Sequence, residues 1–277
     1  MTTTLTKTLE ETPERQRDWR GAGVGTQIAV LTARSLRKFV TNPRLIVFSL
    51  LQPLIMLLLF SQVFGKAIVG SGATAGGSYI NYLMPAILVT TGIGASLQSG
   101  VGLISDSKNG VLARFRSLPI QLSTVLVARS LSDLVRTAVQ LGILLVFAAV
   151  LFGFSPTGGF AGVTASLLLA LAVSWALTWV FLAIAAWLRN EESMQTVGFL
   201  AMFPLMFASS AFVPLASLPT WLKVVATINP LTYAVDASRN LSLALPVHGG
   251  VISALAASAA LAVVGIAFAV RGFRRPA

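Results

Sequence analysis

The chain has 277 residues, of which 55% are hydrophobic and only 10% charged, and its formal net charge is +11. Soluble domains carry about 25% charged residues, so a mean hydropathy of +0.82 excludes an ordinary soluble enzyme and defines an all-α polytopic membrane protein. A β-barrel is excluded as well, because the alternating segments of roughly ten residues that it needs do not dominate.

Residues 1–25 are rich in Thr, Glu and Arg and read as a disordered cytoplasmic arm. No cleavable signal peptide is expected, since the first apolar run begins only near Leu45, after this charged arm. Residues 26–41 follow, with "TQIAVLTARSLRKFV" at helical spacing. Ile28, Thr32, Leu36 and Phe39 share one side, and Arg34, Arg37 and Lys38 the other. An amphipathic basic helix beside a bilayer lies in the interface, with its cations near anionic headgroups. Asn42-Pro43 ends it, because the residue before proline is pushed away from the helical region.

Residues 42–277 then form a six-span transmembrane domain. The expected crossings are Leu45–Phe64, Ile80–Ile104, Thr137–Phe154, Ala161–Leu188, Met194–Phe212 and Gly250–Val270. Six crossings put both termini on one side. If that side is cytoplasmic, all of the 20 Lys and Arg lie inside except Lys66, Lys223 and Arg239. The positive-inside rule therefore places both termini in the cytoplasm and the chain in a plasma membrane.

The second span contains Gly92, Ser96 and Gly100, small residues four apart that let helices approach closely. Thr91, Gln98 and Ser99 either join that packing or face a substrate path. The segment 105–121, "SDSKNGVLARFRSLPIQ", breaks the apolar pattern on the cytoplasmic side. Val111, Leu112 and Phe115 are apolar residues held between cations, and Arg114 and Arg116 suit carboxylates on a partner. A small apolar centre with a charged rim is interface anatomy; an ordinary basic inner loop is the plainer alternative. Arg129, Asp133 and Arg136 share a helix face just beyond it. Insertion of such charges at mid-membrane costs about 3 kcal/mol each, so they belong on a cytoplasmic extension of the third span, as an ion-pair network or as part of a gate.

Several chemistries have no support. No cysteine is present, so there is no thiol or disulfide chemistry, and a lone His248 leaves no histidine metal site to expect. No catalytic set of Ser, His and Asp converges, and no GxxxxGK[ST] phosphate loop occurs. The excess of Lys and Arg is a topology code, so no nucleic-acid partner is expected. The membrane spans carry no ionisable group at mid-depth, which disfavours proton-coupled transport. If the chain moves something uphill, the energy must come from elsewhere.

The ordered set "NPRLIVFSLLQPLIMLLLF", "DSKNGVLARFRSLPI", "LVARSLSDLVRTAVQ" and "SSAFVPLASLPTWLKVVATINPLTYAVDASRNL" resembles the membrane subunits of type-2 ATP-binding-cassette exporters, the daunorubicin-resistance-type permeases in particular. The resemblance runs from about Ile28 to the end of the chain. It implies a homodimer working with two copies of a separate nucleotide-binding ATPase subunit, which would hold ATP and Mg; this chain would bind no cofactor itself. It also implies that Asp106, Lys108, Gly110, Val111, Leu112, Arg114, Phe115 and Arg116 form a coupling helix against that ATPase, closed by Pro119. It makes 26–41 an interfacial helix and 213–240 a partly re-entrant outer segment. It nominates Thr91, Gln98, Ser99, Phe203, Met206, Phe207 and Ser210 for a path taken by an amphipathic drug or lipid-like substrate. It further points to a bacterial source, which the preference for arginine over lysine also fits. The alternatives from other classes are an independent secondary carrier or channel, and a non-transporting membrane scaffold.

Overall fold

A computed structural model describes residues 23–70, 78–111, 122–246 and 249–273. Among the described residues the chain forms nine α-helices and one short 3-10 turn. They are α1 (Val24–Val40), α2 (Pro43–Gly70), α3 (Tyr79–Lys108), α4 (Leu122–Phe152), α5 (Gly159–Leu188), α6 (Glu191–Phe207), α7 (Thr220–Ile228), α8 (Pro230–Ser242) and α9 (Gly250–Phe273). The 3-10 turn, Leu215–Ser217, precedes α7.

Five of these, α2, α3, α4, α5 and α9, are long and apolar enough to cross a membrane. Their edges extend the expected spans most at α4, which begins at Leu122 rather than Thr137 and carries the charged turns on one continuous helix. The expected span Met194–Phe212 differs. Its helix, α6, has 17 residues, about 25 Å at 1.5 Å per residue, against a hydrocarbon core of about 30 Å. Pro204 sits in its last turn, and the chain leaves the helix after Phe207 through a bend in which the Ser209 hydroxyl accepts from Ala211 N–H.

α3 is the central helix and packs against α2, α4, α5, α6 and α8. Its small residues make close contact with α5. The Ser96 hydroxyl donates to Ser174 O at 2.7 Å, and the Ser174 hydroxyl donates back to Gly92 O at 2.8 Å. A Cβ at Gly100 would stand 2.9 Å from Phe181 O, closer than a side chain can approach a backbone atom. α9 lies along the opposite side of α5, where Gly265 permits backbone contact with Trp179.

The two ends of this bundle differ. At one end α1 packs on the start of α4, with the Thr32 hydroxyl donating to Ala128 O at 3.3 Å. Ile28, Leu36 and Phe39 are half-buried there, while Arg34 and Arg37 are exposed; the Lys38 side chain lies outside the described set. The C-terminal ends of α3, α5 and α9 meet at this α1 end. At the other end α7 and α8 form a helical hairpin. Its turn is fixed by Asn229, whose Oδ1 accepts from Leu231 N–H and whose amide donates to Leu205 O and Ala208 O, both at 2.7 Å. α8 then runs back along α5 until Gly158 N–H donates to Ser242 O at 2.9 Å. The approach is close enough that a Cβ at Gly158 would lie 2.6 Å from that same oxygen.

Candidate functional site

Among the described residues, two polar clusters and one aromatic face bring the sequence-predicted site residues together. The cluster at the α1 end joins α3 to α4 at the base of the segment that links them. Arg129 on α4 is paired with Asp106 on α3, and its Nε stands 3.7 Å from Asp133 Oδ2. Arg136 Nη2 is 3.9 Å from Asp133 Oδ1, and the Ser99 hydroxyl donates to Asp133 Oδ2. Spacing of four and three residues along one helix puts Arg129, Asp133 and Arg136 on a common face. Only α3 packing turns that face into a cross-helix network. The network is incompletely satisfied, since Arg129 Nε is buried without a hydrogen bond. Next to it Lys108 reaches Glu191 on α6 across 3.7 Å, with both side chains partly exposed. α6 starts with Asn190 as its N-cap, accepting from Glu192 N–H at 2.9 Å, and Glu191 and Glu192 suit the positive helix start.

Of the expected coupling residues, Asp106 and Lys108 are thus engaged in ion pairs. Gly110 has φ +71°, a left-handed value that glycine adopts without strain, and it turns the chain out of α3. Val111 is half-buried. Leu112, Arg114, Phe115, Arg116 and Pro119 lie outside the described residues.

The cluster at the hairpin end centres on Arg239, which sequence patterning marked only as one of three outer cations. Its side chain is 8% exposed. Nη1 donates to Asp236 Oδ1 at 2.7 Å, Nη2 to Ser210 O at 2.8 Å and Nε to Tyr82 O at 3.1 Å. The guanidinium also lies 3.7 Å over the Tyr82 ring, a cation–π contact. Tyr82 in turn donates to Ser210 O at 3.0 Å, Tyr79 donates to Phe212 O at 2.8 Å, and the Ser210 hydroxyl donates to Asp236. One planar donor fork therefore ties α3, α8 and the bend after α6 together. Burial pulls the Arg239 pKa below its ordinary value, opposed by Tyr82 and Asp236, and an arginine stays protonated even so.

The seven residues expected along a substrate path fall into two groups. Ser99 and Ser210 are buried and committed to the two polar clusters. Phe203, Phe207 and Gln98 are exposed, and Thr91 and Met206 are half-buried. Phe203 and Phe207 belong to a row of rings. Phe199 to Phe203 spans 5.2 Å between centroids, Phe203 to Phe207 spans 4.6 Å, and Phe207 to Phe212 spans 5.4 Å. Phe212 stacks on Phe60 of α2 at 4.4 Å, and Phe60 on Phe64 at 5.4 Å. Spacing of four along α6 puts Phe199, Phe203 and Phe207 on one stripe, and Phe212 carries the row across to α2.

These features define a polytopic helical membrane protein with a charged, ion-paired helix junction at one end and an apolar aromatic face along its side. Residues 26–243 match the family model of the ABC-2 type transporters, and the chain belongs to that family. It is 30% identical to the daunorubicin resistance ABC transporter permease protein DrrB1 of Streptomyces coeruleorubidus, over 75% of this chain and 72% of that protein. It is 25% identical to a probable doxorubicin resistance ABC transporter permease protein DrrC of Mycobacterium tuberculosis, over 99% of each chain. A putative transport permease, ycf38, of Porphyra purpurea is 28% identical over 77% of this chain and 72% of its own length. The chain is a permease subunit, the membrane component of a transporter whose ATP-binding subunit is a separate protein.

Proposed function

We propose that this permease forms a homodimer that exports an amphipathic drug or lipid-like molecule, driven by two copies of a separate ATPase subunit that hold ATP and Mg. The observation that carries the reading is the junction of α3 and α4. The segment 105–121 is stapled at its base by Asp106 and Arg129, so a push on it is delivered to both helices at once. Val111, Leu112, Arg114, Phe115 and Arg116 are the contact with the ATPase in this reading, with Lys108 and Gly110 shaping its start. ATP binding closes the ATPase pair, and the permease shifts between inward-open and outward-open states whose balance nucleotide biases.

Both termini lie on the cytoplasmic side of a bacterial plasma membrane, and α1 lies in its inner interface with Arg34 and Arg37 toward the headgroups. α6 and the bend after it make the fifth of the six crossings, and the α7–α8 hairpin re-enters the membrane from outside. The positive-inside count supports this orientation. The phenylalanine row, with Met206, Thr91 and Gln98, provides the apolar wall of the path. A wall without charges suits an amphipathic molecule, and the resistance named for the relatives in Streptomyces and Mycobacterium points to the same class.

Co-purification with the ATPase encoded beside this chain tests the reading. The pair is expected to copurify and to hydrolyse ATP, and Phe115→Asp with Arg114→Glu is expected to abolish both association and transport. Undiminished association in that double variant refutes the coupling assignment.

A further inference from the structure

A cavity of about 350 Å³ lies on the other side of α6 from the phenylalanine row. Its size falls within the roughly 300–1,000 Å³ of small-ligand sites. Four elements wall it: α5 with Val173 and Phe181, α6 with Leu205, the α7–α8 tip with Leu231, and α9 with Leu261; Ile93 of α3 closes its floor.

Three properties restrict what can fill it. The first is depth. Ile93 and Val173 lie midway along α3 (Tyr79–Lys108) and α5 (Gly159–Leu188), so the cavity sits at the level of the hydrocarbon core rather than the headgroups. The second is chemistry. No charged side chain lines the cavity. The Asn229 amide donates to Leu205 O and Ala208 O, Tyr233 donates to Thr227 O at 2.7 Å, and Ser253 donates to Gly250 O at 3.0 Å. Those donors are spent, and of the polar lining residues the small Ser258 hydroxyl alone is left, so a polar headgroup would lose most of its hydration. The third is direction. Leu205, Ile228 and Tyr233 at the rim are 42–76% exposed, so the mouth opens outward from the bundle. Ala201, Met202 and Leu205 face the cavity, whereas Phe199, Phe203 and Phe207 lie on the opposite stripe of the same helix. α6 therefore separates the cavity from the apolar wall assigned to transport.

We propose that this cavity is a binding site for one acyl chain of a bilayer phospholipid, whose headgroup stays outside at the membrane surface. The chain wedges between α6 and α9 against the hairpin tip. It fills space that water cannot favourably occupy. The inference requires only that the permease lie in a bilayer and is independent of ATP coupling, so its failure and the failure of the transport reading are separately observable.

The test is photolabelling of the full chain in proteoliposomes with phosphatidylglycerol that carries a diazirine midway along one acyl chain. Adducts are expected on Ala201–Leu205 and on Ala254–Leu261. They are expected to be lost in Ala257→Trp and in Ala201→Trp, which fill the cavity from opposite walls, while adducts on the exposed Val146 and Val150 of α4 persist. Those controls and an unchanged gel-filtration profile show that each variant is folded. Labelling equal on all exposed faces and unaffected by both variants overturns the proposal, because the lipid is then ordinary solvent. Displacement of the label by a drug-like amphipathic dye, but not by unlabelled phospholipid, also overturns it and assigns the cavity to cargo. The chain has no cysteine, so Ala257→Cys gives a third arm: a disulfide between two copies at that position means that a second copy, not lipid, covers the mouth.

Discussion

Both ends of the helix bundle hold an arginine against an aspartate on its own helix, but they hold it in different ways. At the hairpin end Arg239 is buried, and each of its three nitrogens donates a hydrogen bond of 2.7–3.1 Å. At the α1 end Arg129 is shared between Asp106 and Asp133 and its Nε has no hydrogen bond; Asp106 and Asp236 are similarly exposed, at 42% and 39%, so the difference lies in how the two arginines are satisfied. A satisfied buried network fixes one geometry, whereas a partly wet, partly satisfied one can exchange partners at small cost. The contrast fits a permease with a locked hairpin end and a junction free to move where it is pushed.

The contrast can be broken most decisively at Arg239. Arg239→Met takes the arginine donor from Tyr82 O and leaves Asp236 and Ser210 O with only the hydroxyls of Ser210 and Tyr82. Asp236 is 39% exposed, so the cost falls below the roughly 3–5 kcal/mol of a fully buried pair, but three hydrogen bonds are lost at once and thermal unfolding in detergent is expected to show the largest loss of any single variant. Arg239→Lys is expected to fail nearly as badly, because an ammonium cannot reproduce the planar fork. A lysine variant as stable as the parent would show that the lock is only a charge.

Gly158→Ala probes the same end without touching charge. The new Cβ would meet Ser242 O at 2.6 Å, and overpacking costs about 1–3 kcal/mol. Separation of α8 from α5 should show as faster proteolysis of the hairpin.

The junction is expected to be softer. Asp133→Ala removes the carboxylate that pairs with Arg129 and Arg136 and accepts from the Ser99 hydroxyl. Its stability cost is about 1–3 kcal/mol, smaller than at Arg239, but it is expected to uncouple ATP hydrolysis from transport. A variant that loses stability and keeps full coupling would make the network a mere brace. Lys108→Ala should change stability by less than about 1 kcal/mol, since its pair with Glu191 is solvent-exposed.

The α1 end was largely legible in the sequence. Charges three and four apart on one helix announce a shared face, and Arg129, Asp133 and Arg136 lie on one. Gly92, Ser96 and Gly100 likewise announce the close contact of α3 with α5. The hairpin end was not legible in the same way. Asp236 at three residues before Arg239 is a local hint, but the decisive acceptors are backbone carbonyls of Tyr82 and Ser210, 157 and 29 residues away. Carbonyls carry no side-chain signature, so only the fold reveals them. Ser99 and Ser210 show the same limit, because their hydrogen bonds to Asp133 and Asp236 join residues 34 and 26 positions apart and no local pattern announces them. The shortness of α6 was hidden too: apolar composition continues to Phe212, but the backbone bends after Phe207.

The account turns on whether ATP binding to the partner moves the α1 end while the hairpin end stays locked. Cysteine pairs for spin labels report this directly, because no native cysteine interferes. One pair, Ser107→Cys with Glu192→Cys, spans the junction; the other, Phe160→Cys with Ala244→Cys, spans α5 and the end of α8. With the ATPase bound, ATP is expected to shift the first distance distribution and leave the second unchanged. A shift in the second pair alone, or no response to nucleotide in either, would contradict the account.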